Sequence, residues 1–117
     1  MKRHSIHFNE ERISVLDLRT ANAEPVHIGW AAIERLTVFK RDLFAVDLIC
    51  LQVELSEGNG IELDEDMDGW NLFIDALPAH LIGCKKLSEW FSEVAFPAFA
   101  ANPREIFLRG AVATQSA

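Results

Sequence analysis

The sequence predicts an α+β fold, an antiparallel sheet of about five or six strands followed by two short amphipathic helices. Two observations carry this. Up to Leu63 the apolar residues recur with period 2, and after Gly69 they recur with period 3.6. A third concerns order: hairpin-connected strands come first, and nothing repeats a strand–helix–strand unit, which argues against a doubly wound nucleotide-binding fold.

The elements follow in order. Ile6-His7-Phe8, a polar Asn9-Glu10-Glu11 turn and Ile13-Ser14-Val15-Leu16 read as a hairpin. A polar stretch over 20–25 leads to a second alternating segment, Val26 to Trp30. Ala31 to Leu36 reads as one helical turn, Thr37 to Arg41 as extended chain, and Arg41-Asp42 as a turn. Leu43 to Leu55, LFAVDLICLQVEL, is the most informative strand. Leu51, Val53 and Leu55 share one face, and Gln52 and Glu54 the other. Val46, Leu48 and Cys50 continue the Gln52/Glu54 face, so the first half is apolar on both sides. It requires a cover, from a later helix or from a second subunit. Glu57-Gly58-Asn59-Gly60 closes a hairpin with Ile61-Glu62-Leu63.

Trp70, Phe73, Ile74 and Leu77 then mark one face of a helix, which Pro78 kinks or stops. Leu87, Trp90, Phe91 and Val94 repeat the spacing and end before Pro97. Ile106-Phe107-Leu108 reads as a last short strand. The 117 residues make one domain, 1–110, with 111–117 as a disordered tail.

Composition narrows the function. The net charge is −7 and uneven: nine acids and no Lys or Arg lie between Leu43 and Cys84, while the other nine acids share the chain with all 11 basic residues. Such a field repels nucleic acid and anionic lipid and attracts basic partners. No apolar run approaches the roughly 20 residues of a membrane helix, and the N-terminus has no apolar segment of the secretory kind. Cys50 and Cys84 have no zinc or redox spacing, so reduced thiols and a cytoplasmic location are expected.

Within IELDEDMDGW (61–70), Asp64, Asp66, Asp68, Gly69 and Asp75 match positions 1, 3, 5, 6 and 12 of a calcium loop. Against this, a strand precedes the loop, Leu72 stands at position 9, and a helix starting at Gly69 carries Asp75 away. The simpler reading makes Asp68 the helix N-cap, with Asp64 and Asp66 near the positive end of the helix dipole. No metal or cofactor is expected.

Other chemistry is thin. His4 and His7 form H-x-x-H without a helix or a nearby glutamate, and His27 and His80 have no catalytic neighbour in sequence. Cys84, beside Lys85 and Lys86, is the better of two weak candidates for a nucleophile. Arg35, Lys40 and Arg41 around Phe39 are the place to look for anion binding. The three tryptophans and eight phenylalanines read as core, and they are also the material of an aromatic ligand cavity.

The run Ile28-Gly29-Trp30-Ala31-Ala32-Ile33, an extended pair, and an acid-rich strand entering an amphipathic helix resemble small bacterial domains with a pleckstrin-homology-like sheet, over about residues 12–81. The resemblance implies a non-enzymatic binding or oligomerisation module. The acidic stretch 54–68 departs from lipid-binding members, which need a basic phosphate pocket.

The expectation is therefore a non-catalytic domain with an acidic face, immunity-like in style, that binds itself or a basic protein and neither nucleic acid nor membrane. Val46, Leu48 and Cys50 are the expected self-association surface, and Glu62, Asp64, Glu65 and Asp66 the expected basic-partner surface. The alternative is a small metal- or ligand-dependent enzyme using the Asp64–Asp75 carboxylates.

Overall fold

A computed structural model describes residues 3–20, 22–98 and 100–110. The order is β1 (His4–Phe8), β2 (Arg12–Asp17), β3 (Val26–Gly29), a single 3-10 turn (Trp30–Ala32), β4 (Ile33–Asp42), β5 (Asp47–Leu55), β6 (Gly60–Asp64), α1 (Trp70–His80), α2 (Leu87–Ala95) and β7 (Arg104–Leu108). The class is α+β, as expected. Its strands, however, form two antiparallel sheets, β1-β2-β3 and β6-β5-β4-β7, and not one sheet of five or six.

The division falls at the 3-10 turn. Trp30 donates its amide to the Glu11 carbonyl and its ring Nε1–H to the Asn9 carbonyl, which anchors the turn on the first hairpin. On its other side, Arg109 donates to the Ile33 and Trp30 carbonyls at 2.8 and 2.9 Å. The chain therefore leaves one sheet and enters the next without pairing β3 to β4. Residues 111–117, expected to be a tail, lie outside the described residues.

The core lies among both sheets and the helices. Leu36, Val38, Leu51, Val53 and Leu63 are fully buried, and the register sets Leu36 opposite Val53 and Val38 opposite Leu51, with Leu63 beyond Leu51 on β6. Each such side chain contributes roughly 1.5–3 kcal/mol by leaving water. In α1, Trp70, Phe73, Ile74 and Leu77 are all buried, as their spacing predicts. In α2 only Trp90 and Val94 are; Leu87 and Phe91 remain 37% and 43% exposed.

Several features differ from expectation: of the stretch read as a helical turn, Ile33 to Leu36 already belong to β4. Residues 43–46 form the β4–β5 turn and not the start of a strand, with Leu43 donating to the Val46 carbonyl and Phe44 at φ 70°. Accordingly Val46 is 60% exposed and Phe44 96%. Pro78 lies inside α1, which runs on to His80; near a helix end its missing amide costs one bond only. Lys40, expected to be open to anions, is buried, because its Nζ donates to the Ala95 and Pro97 carbonyls at 2.6 and 2.7 Å and pairs with Asp47 at 3.1 Å. It thereby ties the C-terminal end of α2, where carbonyls lack helical partners, to β4.

Candidate functional site

The acid-rich turn between β6 and α1 is built by its backbone. Asp64 Oδ1 accepts the Asp66 amide at 2.9 Å, a side-chain turn that reverses the chain. Asp68 then docks on β1: its amide donates to the His4 carbonyl at 2.9 Å, and its carbonyl accepts the Ile6 amide at 2.7 Å. Gly69 follows at φ 88°, so close to β1 that a Cβ there would collide with the Ile6 carbonyl oxygen. A left-handed conformation costs other residues about 1–2 kcal/mol, and here the collision adds to it. Gly69, not Asp68, is therefore the residue that caps α1, and no side chain bonds the helix start. The expected N-cap role of Asp68 fails because its backbone is committed to β1.

This turn borders two concavities. The larger, about 650 Å³, is walled by Asp64, Asp66 and Met67 from the turn, Leu48 from β5, and Arg3, His4 and Arg19 from the first hairpin region. Arg19 is held by Asp17 through two bonds of 3.0 Å, and its guanidinium holds the Asp17 carboxyl down at about 2. The smaller, about 300 Å³, lies between the helices: Trp70, Asn71, Ile74 and Asp75 come from α1, and Leu87, Trp90 and Phe91 from α2. Ile49 and Glu65 complete it, and Glu65 Oε1 accepts the Ile49 amide at 3.1 Å. Trp90 is 1% exposed, and its Nε1–H has no acceptor among the described residues.

The residues expected to bind a partner divide among these places. Leu48, Asp64 and Asp66 line the larger concavity and Glu65 the smaller. Val46 stands at the β4–β5 turn. Cys50 is fully buried on β5, with Arg41 and Glu62 as neighbours. Its cover is thus supplied by flanking strands of the same sheet, since Arg41 lies on β4, Glu62 on β6, and the two pair at 2.6 Å. Burial, then Glu62, pushes the Cys50 thiol up to about 11; burial chiefly pushes Cys84 up to about 12. At neutral pH neither is a thiolate, which removes the signature expected of Cys84 as a nucleophile.

The expected anion site is also spent. Arg35 pairs with Glu105 at 3.1 Å and Glu54 at 3.9 Å, Arg41 with Glu62, and Lys40 as described. Asp75 lines a different concavity from Asp64 and Asp66, and among the described residues no three His, Cys, Asp or Glu are gathered as a metal ion requires. His80 stacks on Trp30, ring centroids 4.4 Å apart and planes at 1°. His27 Nδ1 lies 2.8 Å from Ser14 Oγ across the β2–β3 pair, a neighbour that sequence does not reveal.

What sequence reasoning missed is the grouping of Trp70, Trp90 and Phe91 with Glu65 and Asp75. A signal was present: α2 offers four apolar residues to one face, more than its packing consumes. Comparison with protein-family models, curated proteins and solved structures finds no match.

Proposed function

We propose that this chain is a non-catalytic protein-interaction domain whose acidic β6–α1 corner meets a basic protein. One observation carries the reading. Of the nine acids between Leu43 and Cys84, Asp47, Glu54 and Glu62 have ion-pair partners, whereas Glu57, Asp64, Glu65, Asp66, Asp68 and Asp75 have none among the described residues. Six carboxylates without an ion-pair partner, around one hairpin and helix start, create a field that a cationic surface relieves. The enzymatic alternative needs Asp64 and Asp75 on one ion; that they line separate concavities favours binding over catalysis. A binding role also agrees with what the pleckstrin-homology-like resemblance implies, and the buried, free thiols of Cys50 and Cys84 favour a reducing compartment such as the cytoplasm.

Titration with an oligolysine peptide, followed by NMR, tests this. Binding is expected to map to residues 57–75 and to weaken steeply between low salt and physiological salt, where screening sets in at about 8 Å. Binding that ignores salt, or maps elsewhere, overturns the reading.

A second reading, self-association, is favoured by the β4–β5 turn, where Phe44 is almost wholly exposed beside Val46. With Leu43, 42% exposed, they put three apolar side chains on one turn, and an exposed apolar patch is what a second copy covers. Light scattering is expected to show a dimer or larger species at micromolar concentration that Phe44→Asp dissociates; a monomeric wild-type chain ends this reading.

A further inference from the structure

We propose that the β4–β5 turn and the outer face of α2 form one continuous apolar surface, which two copies of this chain bury against each other about a two-fold axis. This rests on the self-association reading above and names the surface that carries it. Lys40 establishes the continuity. Its ammonium pairs with Asp47, which follows Val46, and donates to the Ala95 and Pro97 carbonyls, which flank Phe96. Ile49, two residues beyond Asp47 on β5, lines the concavity that Leu87 and Phe91 also line. Leu43, Phe44 and Val46 on the turn thus stand beside Phe96, Phe91 and Leu87 on and after α2, and all six remain open to solvent.

The area is that of an interface. Phe44, Phe96 and Phe91 are 96, 68 and 43% exposed, and aromatic side chains present about 150–250 Å² each, so these rings leave roughly 400 Å² in water. With the three aliphatic residues the face reaches roughly 600 Å², most of the roughly 800 Å² that each partner gives to a stable interface. Monomeric proteins seldom leave so much apolar surface in one patch.

The turn is also built to present its ring. Phe44 has φ 70°, a left-handed conformation that bulky side chains disfavour. It is held there by Asp42 Oδ1, which accepts the Phe44 amide at 2.9 Å, and by Leu43, which donates to the Val46 carbonyl at 3.0 Å. Within one copy nothing is gained by extruding a ring into water at that cost.

Charge favours a second copy as the occupant. Lys85 and Lys86, just before α2, have no ion-pair partner among the described residues, and neither do Glu65 and Asp75, which border the concavity beside Leu87 and Phe91. Unpaired bases and unpaired acids on one face complement a partner with the same pattern, and a two-fold axis sets each against the other. A purely basic partner is repelled by both lysines.

Light scattering on the full chain measures assembly, and NMR signals followed on dilution from millimolar to micromolar concentration map the surface without any substitution. A dimer and no larger species is expected, with dilution shifts at residues 42–46 and 87–96. Phe91→Ala and Phe96→Asp alter exposed positions, so both are expected to fold, and each raises the dimer Kd roughly tenfold or more. Val26→Asp, at an exposed position of β3 in the other sheet, leaves it unchanged.

The failures are distinguishable. If Phe44→Asp dissociates the dimer while Phe91→Ala and Phe96→Asp do not, the shared face is overturned and self-association through the turn stands. Species larger than a dimer overturn the two-fold pairing. If oligolysine moves the signals of 42–46 and 87–96 while dilution does not, the face takes a basic protein and the second copy is overturned. A wild-type chain that stays monomeric and shows neither response ends the self-association reading as well.

Discussion

The two concavities beside the β6–α1 turn share that turn and differ in what they ask of a ligand. The larger brings Arg3 and Arg19 to the same space as Asp64 and Asp66, so charges of both signs are present and Arg19 is already held by Asp17. The smaller has about half the volume, three rings, two acids and, among the described residues, no base. Volume alone favours the first. Charge balance favours the second, because a site whose own groups compensate one another gains less from a charged ligand than one that is left unbalanced. The turn itself makes the division: Asp64, Asp66 and Met67 go to one side, and Glu65, Trp70 and Asn71 to the other.

The largest way to break this comparison is to remove what holds only the smaller concavity. Lys40 fixes the C-terminal end of α2 and touches neither wall of the larger one. Lys40→Ala leaves Asp47 and two carbonyls without their buried cation, and a loss of about 3–5 kcal/mol is expected in urea unfolding. In hydrogen exchange, α2 is expected to open before β1 and β2. Equal opening of both regions refutes the assignment of Lys40 to α2 alone.

A smaller change acts on both concavities together. Gly69→Ala forces a side chain into the left-handed conformation and against the Ile6 carbonyl, at a cost of about 1–3 kcal/mol. It is expected to disturb the Asp68 bonds to His4 and Ile6, seen as faster exchange of the Ile6 and Asp68 amides, and to shift signals from residues lining either concavity. A shift confined to one side means that the turn does not couple them.

The smallest effect sharpens the larger concavity. The Asp17 carboxyl is held at about 2 by hydrogen bonds from Arg19, below its ordinary 3.8. A depressed carboxylate contributes stability that is present above pH 4 and lost as pH falls through 2. Asp17 is partly open to solvent, so the contribution is small and screened by salt. Asp17→Asn is expected to flatten the fall in urea midpoint over that window. Identical slopes for the two proteins remove the pair from the account.

Much of the fold is legible in sequence, for identifiable reasons. Leu51 and Val53 alternate with Gln52 and Glu54 because one face of β5 meets the core. Trp70, Phe73, Ile74 and Leu77 announce α1 because a helix buries one stripe. The match of Asp64, Asp66, Asp68 and Gly69 to a calcium loop is real as spacing, but the same glycine is demanded by β1, a strand about sixty residues earlier. Cys50 looked apolar and uncovered because its cover, Arg41 and Glu62, is polar and lies on other strands. Half-buried Phe91 looked like core because a spacing rule marks a face without saying how much of it finds a partner.

The sequence by itself determined the class of most elements, the concentration of acids between Leu43 and Cys84, and most of the inward set of large residues, because these depend on neighbours within a few positions. Tertiary structure decided that the strands part into two sheets at Trp30, that Lys40 is buried under the end of α2, and that Glu65 and Asp75 border the rings of two helices. The physical reason is long-range pairing. A hydrogen bond from Asp68 to His4, or from Lys40 to Ala95, joins residues more than fifty positions apart, and no local pattern encodes which carbonyl a donor will meet.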